Sequence, residues 1–161
     1  MQLVAYAPDC YGRDVFAAHA SSLVEAASQL RAPSEHFVLF MASDTTDIPG
    51  ADLVDFAAAL VRAGAVYICC WGPDCERFHD CFDEAAFVVH GQVSESRVLM
   101  TTWHNDESLE NALWFALNST FPSSAYEATT KSVLAISVGD QGWCDRVSLY
   151  LKAGAPMLDE A

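Results

Sequence analysis

One unit recurs along this chain and limits what it can fold into: an apolar run of strand length, a short acidic turn, then a helix-like pattern. His36-Phe37-Val38-Leu39-Phe40-Met41-Ala42 runs into Ser43-Asp44-Thr45-Thr46-Asp47, and Ala65-Val66-Tyr67-Ile68-Cys69-Cys70-Trp71 runs into Gly72-Pro73-Asp74. Val98-Leu99-Met100-Thr101-Thr102 leads to Trp103-His104-Asn105-Asp106, and Ser132-Val133-Leu134-Ala135-Ile136-Ser137-Val138 to Gly139-Asp140-Gln141-Gly142. Continuous apolar runs of this length suit strands buried on both faces. Strands that alternate with helices imply a parallel sheet with right-handed crossovers. The expected fold is therefore α/β: a three-layer sandwich, Rossmann-like or flavodoxin-like, with a mostly parallel sheet of about five strands and helices on both faces. With 161 residues, one α/β domain spanning 1–161 is expected.

Between these runs the helices read as follows. Asp14 is a suitable N-cap for a helix over 15–30, which Pro33 ends, after a short first strand over 3–7. Pro49 suits the first turn of a helix that Gly64 closes. A short helix over 75–86 precedes a brief strand at Phe87-Val88-Val89, the strand over 98–102 precedes a helix over 107–119, and a last helix carries Trp143, Val147, Tyr150 and Leu151.

In open α/β sheets ligands gather just outside the carboxyl ends of the strands. Chain polarity sends four turns to that edge, and with them Asp44, Trp71, Asp74, Cys75, Thr101, Thr102, Trp103, His104, Asp106 and Asp140. His104 stands out, because a neighbouring carboxylate, Asp106 or Glu107, can orient an imidazole for acid–base work, with Asp74 as a further candidate. The plainer reading is that each carboxylate caps a helix and that the imidazole bonds a turn carbonyl. Cys75 at a helix N-terminus is placed as a nucleophile would be, but it also falls on an apolar stripe with Phe78 and Phe82. Cys75 and His79 share a helical face, yet no second pair completes a metal site, so no metal is expected. The sequence holds no GxGxxG, no GxxxxGK[ST] and no GxSxG, so no nucleotide cofactor is expected.

Eight Lys and Arg stand against 22 Asp and Glu, a net charge of −14. Such a surface repels phosphate backbones and excludes nucleic acid as the expected partner. It attracts a basic protein, although acidity also serves dispersal alone. No apolar run is long enough to cross a membrane and the first residues do not read as a signal peptide, so a soluble, cytoplasmic protein with six reduced cysteines is expected.

The motifs Trp71-Gly72-Pro73-Asp74-Cys75 and Met100-Thr101-Thr102-Trp103-His104 together resemble those of a family of small bacterial domains of unknown function, over roughly residues 37–138. That resemblance implies an α/β fold and directs attention to Trp71, Asp74, Trp103 and His104; it implies no activity. Two readings follow. The first is an acidic binding module of inhibitor, immunity or accessory type that docks on a basic partner protein, with aromatic residues at its rim. The second is a small-molecule hydrolase or transferase with His104 as general acid–base. Self-association of the domain is left open, since fold alone does not select among functions.

Overall fold

In a computed structural model that describes residues 1–154, three of the four apolar runs become the middle of one sheet, and the run at 98–102 gives an edge strand. Residues 155–161 of the expected domain lie outside that description. The elements are β1 (Val4–Tyr6), β2 (Asp14–Ala20), α1 (Leu23–Gln29), β3 (His36–Ala42), α2 (Gly50–Arg62), β4 (Ala65–Trp71), α3 (Cys75–His90), β5 (Met100–His104), α4 (Leu109–Asn118), β6 (Thr130–Val138) and α5 (Gln141–Lys152). The strand order is β1-β2-β6-β3-β4-β5, with β1 antiparallel to β2 and every other pairing parallel.

Successive side chains of a strand point to opposite faces, and the core divides accordingly. Leu39, Met41, Ile68, Cys70, Leu134 and Ile136 pack beneath α1, α2 and α3. Val38, Phe40, Cys69, Val133 and Ala135 pack beneath α4 and α5. The result is the expected three layers. Phe37 to Ala42 are completely buried, and each large side chain among them contributes about 1.5–3 kcal/mol of burial free energy. No helix among the described residues is long and apolar enough to cross a membrane.

Four expectations are corrected. The sheet has six strands, because residues 14–20 form β2 and not the first half of a helix. Its apolar residues fit either period, and pairing with β6 along its whole length decides for the strand. The helix begins later, at a cap where Ser22 accepts from the Glu25 amide while the Glu25 carboxylate accepts from the Ser21 amide and hydroxyl. Phe87-Val88-Val89 is the last turn of α3 and not a strand; the helix stops at Gly91. Pro49 occupies the cap position of α2 and not its first turn. Finally, β5 lies two residues later than the expected strand over 98–102, since the carbonyl of Val98 is taken by the Ser123 hydroxyl at 2.6 Å.

Glycine is required where the backbone closes at Gly64. It ends α2 at φ 108°, and a Cβ there would lie 2.3 Å from the Glu35 carbonyl oxygen.

Candidate functional site

The connection after β4 leads to α3 on one face of the sheet, and the connection after β5 leads to α4 on the other. Adjacent strands whose connections part in this way leave a crevice at their carboxyl ends. A cleft of about 420 Å³ lies there, lined by Trp71, Gly72, Pro73, Asp74, His104, Asn105, Glu107 and Trp143.

The cleft's walls are set by local geometry. Trp71 ends β4, and its indole Nε1 donates to the Glu107 carbonyl at 3.0 Å. Trp143 comes from the first turn of α5, where the Asp140 carboxylate caps the helix by accepting from the Trp143 amide at 3.0 Å. The two indoles stand edge to face, with centroids 5.4 Å apart and planes at 85°. Gly72, at φ 113°, lets the chain pass the Ser43 carbonyl; a Cβ would lie 2.4 Å from that oxygen. Asp74 is the one non-glycine residue with positive φ among those described, and its carboxylate takes the Arg77 Nε at 2.5 Å instead of capping α3. Arg77 in turn donates to the Ile48 carbonyl at 2.9 Å and to the Thr45 carbonyl, so it ties the β3 and β4 connections together.

His104 is buried at the end of β5 against Phe115 of α4, with ring centroids 4.9 Å apart. Its Nδ1 lies 2.6 Å from Glu107 Oε1 and its Nε2 lies 3.0 Å from the Thr102 hydroxyl. Nδ1–H donates to the carboxylate, and Nε2 pairs with the Thr102 hydroxyl. Both nitrogens are therefore engaged within the protein.

Strand alternation splits the candidates that the sequence places together. Thr102 and His104 face α4, whereas Thr101 and Trp103 face α3. There Thr101 Oγ1 lies 2.9 Å from His79 Nε2 and donates to Asp83 at 3.0 Å, and Trp103 packs edge-on to His79 at 4.7 Å. Asp44 closes its own turn by accepting from the Thr46 amide at 3.0 Å, and the Thr46 amide and hydroxyl hold its carboxyl below the usual range. Asp106 is exposed and does not cap α4; Ser108 does, accepting from the Asn111 amide. Cys75 is buried, and burial pushes its thiol up, the reverse of what a nucleophile needs. All six cysteines are thiols.

Of the ten residues singled out from sequence, Trp71, Asp74 and His104 line the cleft. Asp44, Cys75, Thr101, Thr102, Trp103, Asp106 and Asp140 do not. Glu107 is the carboxylate that reaches the imidazole, and Trp143, not Trp103, is the second indole. Trp143 was findable: an Asp three residues before it signals a cap that sets it at the rim. Among the described residues no group of three or more His, Cys, Asp and Glu is placed to hold a metal ion.

No curated protein and no solved structure matches the chain. A family model described as a domain of unknown function (DUF7684) matches residues 16–153, beyond both ends of the stretch over which the resemblance was seen. The chain belongs to the family of domains of unknown function DUF7684.

Proposed function

We propose that this domain is an acidic, cytoplasmic binding module of inhibitor, immunity or accessory type that docks on a basic partner protein through the rim around Trp71 and Trp143. The observation that carries this reading is the cleft itself: two indoles at right angles, with Asp74 and Glu107 in its lining and Asp44, Asp106 and Asp140 exposed on the neighbouring turns. Aromatic anchors inside a charged rim are the usual build of a protein interface hot spot. A net charge of −14 steers a cationic partner toward it.

The alternative, a hydrolase or transferase with His104 as general acid–base, draws support from the Thr102–His104–Glu107 array, a hydroxyl, imidazole and carboxylate in line. Against it, neither imidazole nitrogen is open to a substrate and Thr102 does not line the cleft.

The docking reading is tested by the salt dependence of partner capture from native lysate. A basic protein retained at low salt, released by moderate salt and weakened by Asp106→Lys supports it. A small molecule released on denaturation, and absent from a His104→Gln preparation, favours the enzyme.

A further inference from the structure

We propose that the corner between Trp71 and Trp143 receives one cationic head group, an ammonium or a guanidinium, carried by a Lys or Arg side chain of the docking partner; this rests on the docking reading above.

The faces of indole rings carry negative charge density and attract cations within about 6 Å of the centroid. The chain uses that attraction once already. The Arg146 guanidinium carbon lies 5.9 Å from the Trp71 ring centroid. It is held there by Glu110, which accepts from Arg146 Nε at 2.8 Å and from Nη2 at 2.6 Å. Arg146 takes part of the Trp71 ring, but the cleft itself is lined by both indoles and not by Arg146.

The carboxylates in the cleft point the same way. Glu107 spends Oε1 on His104, and its Oε2 has no hydrogen-bond partner among the described residues. Asp74 spends Oδ2 on Arg77 and leaves Oδ1 likewise unspent. Each can thus accept one charge-assisted hydrogen bond from an incoming cation. The N-termini of α3, α4 and α5 oppose this, since a helix start carries about half a positive charge and favours anions. Ser108 and Asp140 each take one amide of α4 and α5, and full negative charges on Asp74, Glu107, Asp106 and Asp140 outweigh the partial ones. A cleft of about 420 Å³ holds a head group and the start of the chain that bears it.

The test uses the ¹⁵N-labelled full chain at constant ionic strength and follows the indole Nε1–H signals of Trp71, Trp103, Trp114 and Trp143. The probes are tetramethylammonium, N-acetyl-lysine methylamide and N-acetyl-arginine methylamide, with tert-butanol as a neutral analogue. The expected result is saturable movement of the Trp71 and Trp143 signals with the cations and none with tert-butanol. Trp143→Leu should weaken binding about tenfold, and Arg146→Gln should tighten it about threefold by releasing the Trp71 ring. No saturable movement, equal movement with tert-butanol, or an unchanged response in Trp143→Leu would overturn the proposal. Binding of tetramethylammonium but of neither capped amino acid would overturn the assignment to a protein side chain. A basic protein captured equally by wild type and Trp143→Leu sinks the head-group site and leaves docking standing. Cations that bind while no basic protein is captured do the opposite.

Discussion

The indole Nε1 of Trp71 donates to the main-chain carbonyl of Glu107 at 3.0 Å, so the end of β4 is tied to the turn that carries one of the two carboxylates of the cleft. That bond crosses from the residue that closes one strand to the connection leaving its neighbour. It fixes the Trp71 ring plane and the Glu107 backbone together.

Trp71→Phe removes that bond and keeps a smaller aromatic ring against Trp143. It should cost about 1 kcal/mol of stability. Amide exchange should accelerate over residues 105–111 and stay unchanged in β2 and β6. Urea unfolding with hydrogen-exchange mass spectrometry measures both.

His104→Ala should destabilise by about 2–4 kcal/mol, because it leaves a void against Phe115 and strips Thr102 and Glu107 of their shared partner. A loss under about 0.5 kcal/mol in urea unfolding would mean that the imidazole is not a structural element and would return attention to catalysis.

Arg13 clamps the end of α4. Its side chain pairs with Asp9 at 2.6 Å and donates to the carbonyls of Ala116, Leu117 and Thr120, and both charged groups are almost fully buried. Arg13→Met takes the guanidinium from the buried Asp9 carboxylate, which keeps only the main-chain amides of residues 11 and 13, and should cost about 3 kcal/mol in chemical unfolding. Arg13→Lys keeps the charge but loses the fork, and should fall between wild type and Arg13→Met.

Stability should fall at both pH extremes. Burial holds the Tyr67 and Tyr150 phenols and the Cys69 thiol at about 12, and the Cys70 thiol well above its ordinary value. Folding favours their neutral forms. Their contribution is complete below the unfolded values of 9.0 for Cys and 10.0 for Tyr, and is lost as pH rises from there toward 12. On the acid side, hydrogen bonds from Arg146 lower the Glu110 carboxyl. That stabilisation is present above 4.5 and lost as pH falls through the folded value. Tm against pH should show both limbs, and Glu110→Gln should flatten the acid one.

The central strands were legible because burial on both faces leaves no ambiguity of composition: 36–42 and 65–71 are strands as read, and 132–138 is one within the longer β6. β2 was not legible. Val15-Phe16-Ala17-Ala18 is apolar throughout, so it fits either period, and pairing with β6 is a long-range fact. The site suffered from one small error of register. Reading β5 two residues early put Trp103 and His104 into the turn and Thr101 and Thr102 at the strand's very end, where strand alternation no longer separates the four. Of the two carboxylates read beside His104, Asp106 and Glu107, only Glu107 reaches the imidazole. Trp143 lies far away in sequence and reaches the rim only because α5 starts there.

The most direct measurement is quantitative capture from native lysate by wild type, Trp143→Leu and His104→Gln side by side, with mass spectrometry of retained proteins and of small molecules freed on denaturation. The account predicts a stoichiometric basic protein bound by wild type and by His104→Gln and lost from Trp143→Leu. No stoichiometric protein, together with a small molecule present in wild type and missing from His104→Gln, would contradict it.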